Sequence, residues 1–311
     1  MRYKINSIFL VLILSLMLNT NIANGKSLSA GKKISSSKTL RTMARVYMAY
    51  GDYTKAQPLA ERALSLAREN EASNSELAMC LIDLATLYKS QNKLANAEKM
   101  CLLGLQLQEK ALYKNHPYIA YTLRTLSSIY QQQSKYNEAA DALDEAIIVM
   151  LDSHGENDKA MAPFFVDIAK LNTELGNLEK AESYYEKAMS LINASYGPSH
   201  LYTATVLASL ADLYTAQARY SKAETVINQA VATQEKYYGS DHHLIASSWL
   251  TKAKICRIMG KHNQAENLIR RALTAVKKSG NTMLLAKLER DAREIRVSKL
   301  VAYAPVERTI K

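Results

Sequence analysis

The sequence predicts an all-α protein: a superhelical α-solenoid of six helical hairpins closed by a C-terminal capping helix. Three observations predict it. Small residues recur with a period of about 42, the apolar residues around them fall three and four apart, and turn-forming residues are scarce. With ten Gly and five Pro among 311 residues the chain lacks the frequent tight turns of an all-β fold, while a 48% hydrophobic content is ample for a folded core. Internal periodicity outranks length as a guide to domains, so the repeat sets the architecture.

The chain begins with Arg2 and Lys4 ahead of an apolar run over residues 8–18, followed by small residues at Ala23 and Gly25. This is the layout of a secretory signal peptide spanning residues 1–25. A helix of eleven residues covers only about half of a ~30 Å hydrocarbon core. The expectation is therefore cleavage after Ala23 or Gly25 and an exported product, periplasmic or secreted, with no membrane span after signal removal. An uncleaved, tilted anchor is the alternative. No cysteine lies near Ala23, so lipid attachment to an N-terminal cysteine is excluded. Residues 26–37, rich in Ser, Gly and Lys without periodicity, read as a flexible leader.

From residue 38 the repeat takes over. One alanine recurs as Ala56, Ala97, Ala139, Ala181, Ala223 and Ala265, at spacings of 41, 42, 42, 42 and 42. Seven residues after each stand Ala63, Gly104, Ala146, Ala188, Ala230 and Ala272; twelve before stand Ala44, Ala85, Ser127, Ala169, Ala211 and Ala253. Larger side chains hold the places between, such as Leu40, Leu81, Leu123, Phe165, Leu207 and Trp249 at sixteen before the anchor. Such intervals place one face of a helix on each side of the anchor. Five before the anchor a turn element recurs, Gly51, Asn92, Ser134, Gly176, Ala218 and Gly260, where the first helix should end. Each unit is thus a helix, a tight turn and a helix, with boundaries at 38–75, 76–116, 117–158, 159–200, 201–242 and 243–280.

The small residues have a mechanical reason. Where two helices cross, a missing side chain lets their axes approach to about 8 Å, and larger neighbours fill the space around the crossing. One hairpin of this length cannot bury its apolar face alone, so each core is completed by the next unit. Overpacking one crossing, as in Ala188→Leu, should therefore cost about 1–3 kcal/mol.

These residues resemble the tetratricopeptide repeats, in particular the long variety with a 42-residue period found in kinesin light chains. The likeness covers residues 38–280 and extends to the junctions: Asn115, His116, Pro117; Gly197, Pro198, Ser199, His200; and Gly239, Ser240, Asp241, His242. It implies a right-handed superhelix with a concave groove lined by the first helix of each repeat. Departures stand at Asn172, in place of the usual tyrosine, at Lys252, on an otherwise apolar place, and at Pro163, which opens a first helix. The paired asparagines with which kinesin light chains hold peptide backbone are absent, so their cargo rules do not carry over.

Beyond residue 280, Leu284, Leu285, Leu288, Ala292 and Ile295 share one helical face with charges outside it, which reads as a capping helix over residues 281–303; residues 304–311 form a frayed tail. The net charge of +11 favours acidic surfaces, yet Lys and Arg are dispersed without blocks or aromatic-basic motifs, so nucleic acid is not expected. Three cysteines, Cys80, Cys101 and Cys256, are too few for a disulfide framework; a Cys80–Cys101 bridge within one hairpin stays open.

His116, His200 and His242 share one register, with Asp158 in the slot between, but residues a repeat apart stand roughly 20 Å from each other, far beyond zinc bonds of ~2 Å. Neither nucleophile elbow, phosphate loop nor zinc-binding helix motif is present, and the repeat occupies nearly all of residues 38–280. No catalytic residue, cofactor or metal is implied. The reading is a protein–protein interaction scaffold. From the resemblance, its groove should expose Lys38, Arg41, Arg45, Lys89, Arg124, Gln131, Gln132, Lys170, Thr215, Lys254 and Arg257, a basic face suited to an acidic partner segment or a terminal carboxylate. The rival readings are a carbohydrate- or cell-wall-processing enzyme on a helical array, and a protein that self-assembles head to tail.

Overall fold

The computed structural model describes residues 36–301. The expected signal peptide, most of the leader and the tail after residue 303 lie outside the described residues. Within the compact unit that begins at Ser37, the described residues form α-helices and short 3-10 turns without a strand. The hairpins follow in order: α1 (Ser37–Ala49) with α2 (Tyr53–Glu69), α3 (Asn74–Ser90) with α4 (Leu94–Ala111), and α5 (Pro117–Gln132) with α6 (Tyr136–His154). Next come α7 (Ala162–Glu174) with α8 (Leu178–Tyr196), α9 (Leu201–Ala216) with α10 (Tyr220–Tyr238), and α11 (Ala246–Ile258) with α12 (His262–Ser279). The capping helix α13 (Thr282–Val301) closes the array, and none of these helices is long and apolar enough to cross a membrane.

The turn column behaves as its spacing requires. Gly51, Asn92, Ser134, Gly176, Ala218 and Gly260 all adopt positive φ, between 57° and 79°. In each case the next residue's N–H reaches back to the carbonyl five residues earlier, as in Asp52 to Tyr47 (2.9 Å) and Arg219 to Tyr214 (2.8 Å). This left-handed closure satisfies carbonyls that the helix end leaves open. The histidine register is likewise structural. Nδ1 of His116, His200 and His242 accepts the N–H two residues on, at 3.1, 3.1 and 3.3 Å, and Asp158 does the same with a carboxylate oxygen at 2.7 Å. These side chains cap the first helices or the 3-10 turns leading into them.

All eighteen small residues of the three recurring columns are buried. At Gly104 a methyl group would press on Ile82 Cγ1 at 3.0 Å and on the Ala78 carbonyl at 3.3 Å, so α3 and α4 meet there with no room for a side chain. Ser127 fills its small place by donating its hydroxyl to the Ala139 carbonyl (2.7 Å), the anchor of its own repeat. Asn172 is buried and donates to the Ile168 carbonyl (2.8 Å), while Pro163 sits in the first turn of α7, where a missing N–H costs nothing. The three cysteines are buried and unbridged, and burial pushes the Cys101 thiol up to about 12.

Packing also fixes which side is concave. Each hairpin packs on the next, and first helices additionally touch first helices across most junctions, whereas second helices do not approach one another. The first helices therefore crowd the inside of the curve. After six hairpins the array returns to its own beginning: Asn281, which caps α13, lies against Gly51 in the first turn.

Candidate functional site: the concave face

The concave face carries charged side chains, but they are not idle cations. Arg41 is only 6% exposed, and its Nε donates to Asp83 Oδ2 at 2.6 Å; Arg45 reaches the other oxygen of Asp83 at 2.8 Å. Arg124 pairs with Asp167 at 2.5 Å and lies over the Phe164 ring. Lys89 is half-buried and donates to the Ser128 hydroxyl at 3.0 Å. Burial holds its ammonium below the ordinary lysine range, an effect Arg124 reinforces and Asp167 opposes. Each cation thus leans on a partner one repeat further along, and the first helices are laced by an alternating ladder rather than coated with positive charge.

This corrects the expected basic groove. Thr215 is 8% exposed and spends its hydroxyl on the Ala211 carbonyl (2.6 Å), so it faces no ligand. Arg257 is half-buried and donates to the Arg296 carbonyl of the cap, which makes it a strut between α11 and α13. Gln131 is half-buried and reaches Ser127 at 3.4 Å, Lys170 is half-buried, and Lys38, Gln132 and Lys254 stay exposed. The acids Asp83, Asp167, Glu174 and Asp212 belong to the same face and escaped the sequence reading. Their signal was present, since Asp83 and Asp167 stand 42 and 43 residues after Arg41 and Arg124, one period on.

Two open regions result. A cleft of about 610 Å³ lies between α1, α3 and α5, with Lys38, Arg41 and Arg45 on one wall and Tyr118, Tyr121 and Thr125 on the other. Its tyrosines are 49% and 40% exposed and rest against the rings of His116 and Phe164. At the other end a trough runs between α9, α11 and α13, made of adjoining clefts of about 350 and 500 Å³ that share Asp212, Ser247 and Thr251. Asp212 touches water yet is crowded by protein on the inside of the curve. That desolvation pushes its carboxyl above the usual range, with Lys254 and a Thr251 hydrogen bond working against the shift. Burial raises Glu174 as well, opposed by Lys170.

Hairpins of this period, turn and packing define a helical repeat scaffold. The chain belongs to the tetratricopeptide repeat family: models described as tetratricopeptide repeat match residues 35–101, 161–236 and 222–278, and a further one matches residues 119–158. Two relatives from Arabidopsis thaliana carry the kinesin light chain likeness. Protein KINESIN LIGHT CHAIN-RELATED 1 is 24% identical over 150 residues, 48% of this chain, and KINESIN LIGHT CHAIN-RELATED 2 is 26% identical over 125 residues, 39% of it. The match spans only 24% and 18% of those proteins' own lengths.

Among solved structures the apo form of RapI superposes with a TM-score of 0.65 at 16% identity, covering 85% of this chain and 92% of that one. A Rap protein complexed with Competence and Sporulation Factor gives 0.60 at 11% identity, covering 81% and 79%. BtubC (BKLC) from P. vanneervenii gives 0.56 at 18% identity, covering 79% and 93%. At these identities the likeness is one of fold.

Proposed function

We propose that this chain is an exported, non-catalytic adaptor that holds a segment of a partner protein along its concave face. Tetratricopeptide arrays generally serve as protein-interaction scaffolds, and the observation that carries the reading here is the cleft between α1, α3 and α5. Its floor is tied down by the Arg41–Asp83 ion pair, while Lys38, Tyr118 and Tyr121 stand exposed above it beside Arg45, which is exposed although paired with Asp83. Rigid rings beside the exposed side chains of Lys38 and Arg45 suit an extended segment bearing carboxylates. Export is supported by the basic start, short apolar run and small residues of positions 2–25.

Two measurements test this. N-terminal sequencing of the exported protein should begin at residue 24 or 26; a chain starting at Met1 in the soluble cell fraction overturns export. A photoreactive side chain at Thr125 should capture one partner in the cell envelope, and the triple variant Lys38→Glu, Arg45→Glu, Tyr121→Ala should abolish that capture. Undiminished capture by the triple variant removes the cleft from the account.

A further inference from the structure

The trough between α9, α11 and α13 has a different chemistry from the first cleft, because acceptors gather around Asp212. Thr205 has committed its hydroxyl proton to the Leu201 carbonyl (3.1 Å), and the Ser209 hydroxyl is shared between the Thr205 carbonyl (3.5 Å) and the Tyr185 hydroxyl. Thr251 points its hydroxyl at Asp212 Oδ1 (3.4 Å), a long bond. What these groups still offer are lone pairs. Among the described residues Asp212 makes no ion pair, unlike Asp83 and Asp167 on the same face.

The second observation is Gln234. It is 6% exposed and lines the trough, and its Oε1 is buried without a partner. Gln108 holds the same register, eleven residues after its anchor alanine, and there the oxygen is satisfied by the Thr122 hydroxyl at 2.7 Å. Ser248 stands where Thr122 would, and that bond is not made. An orphaned buried acceptor beside a carboxylate that makes no direct ion pair suits a donor-rich group that carries positive charge.

We infer that this trough is an alkylammonium site, filled by the side chain of a lysine on the partner. The ammonium carries three donors and no acceptor, which matches Asp212, Gln234 and the spent hydroxyls. Its methylene stem would run along Leu201, Ala208 and Leu244. Lys170 and Lys254 face Asp212 from neighbouring first helices and, with Lys287, oppose a further cation; Asp291 and Glu294 on α13 join Asp212 in offsetting these three charges. A bound ammonium would favour the ionised Asp212 carboxylate, which desolvation disfavours. The inference rests on the adaptor reading and adds a second anchor, opposite in sign to the first, so that a bound segment is held in one direction.

The test is a titration of the full chain with acetyl-Gly-Lys-Gly-amide, its norleucine counterpart and 1,5-diaminopentane, followed by saturation-transfer NMR. The lysyl peptide should bind saturably and the norleucine peptide about tenfold more weakly, the scale of one charge-assisted contact. Asp212→Asn should weaken the lysyl peptide about tenfold and Gln234→Leu about threefold. Lys110→Gln, on the outer helix α4, should change nothing. Equal binding of the norleucine peptide, or an unchanged affinity in Asp212→Asn, overturns the site. Tighter binding of the free diamine than of the peptide overturns its assignment to a partner's lysine. If the lysyl peptide fails while Thr125 cross-linking still captures a partner, this anchor falls and the adaptor reading stands; if capture fails as well, the adaptor reading falls with it.

Discussion

Single residues in this array do jobs that their types fit unequally. Ala218 holds the left-handed turn position at φ 57°, where Gly51, Gly176 and Gly260 escape the Cβ clash and Asn92 has a short polar side chain that tolerates it. The strain at alanine is about 1 kcal/mol, partly offset by the greater freedom glycine gains on unfolding. Ala218→Gly should therefore raise stability by about 0.5–1 kcal/mol in chemical denaturation; a loss of stability would show that this turn is not left-handed in solution. Asp212 gives a second case, with a sign that depends on pH. Its carboxyl is raised in the folded state, so the folded chain holds that proton more tightly than the unfolded one. The favourable contribution is present below the unfolded value of about 3.9 and is lost as pH rises through the folded value. Asp212→Asn should thus melt higher than the parent at pH 7 and together with it near pH 3. A variant that melts lower at pH 7 would mean that Lys254 stabilises the carboxylate by more than its crowding costs.

Between elements, the repeats are clamped by a motif that the first junction keeps only in part, Gln91 donating to Gln57 (3.0 Å) in the acid's place, and that the third junction lacks. Glu98 accepts from Gln133 (2.8 Å) and Lys135 (3.2 Å) of the following repeat, and Lys135 lies over the Tyr130 ring. Glu182 receives Gln217 and Arg219 in the same way, Lys261 reaches Glu224, and Arg296 of the cap reaches Glu266. Hydrogen bonds from Gln217 and then Arg219 hold Glu182 below the usual carboxylate range. Between the third and fourth repeats the corresponding residues are Ala140, Leu175 and Asn177, with Asn172 in place of the tyrosine, and α5 and α7 approach less closely than other neighbouring first helices. Arg124 and Asp167 bridge that junction from the concave side. Installing Ala140→Glu with Asn177→Lys should add about 0.5–1 kcal/mol and slow amide exchange in α6 and α7. A double-mutant cycle with no coupling would mean that these helices are spaced differently from the other pairs. The contrast explains what could be read in advance. The small columns and the turn column were legible because every repeat meets the same steric limit at the same place. The pairing of Arg41 with Asp83, and the retreat of Thr215 onto its own helix, depend on how neighbouring first helices are rotated, which the period alone does not fix.

At the scale of the whole array, the meeting of Gly51 with Asn281 sets how tightly the curve is wound. A Cβ at Gly51 would lie 2.6 Å from Asn281 Cγ, with the amide nitrogen nearer still. Asn281 cannot simply step aside, because its Oδ1 accepts the Leu284 N–H at 2.9 Å and so caps α13. The backbone at Gly51 is not the obstacle, since Asn92 takes the same turn position at φ 58°. Gly51→Asn should therefore leave the first hairpin intact and push the two ends of the array apart, whereas Gly176→Asn, with nothing within 4 Å of its added carbon, should not. With spin labels at Thr54 and Lys278, the first variant should lengthen and broaden the measured distance distribution, and the second should reproduce the parent. The contact is small, so its cost to α13 is about 1–3 kcal/mol and falls on the cap before the rest of the array. Identical distributions for all three proteins would show that the ends stand apart in solution and that the curvature is set by the junctions between repeats alone. A shift confined to Gly51→Asn would show the opposite, that a single glycine lets six hairpins bend far enough to meet their own beginning.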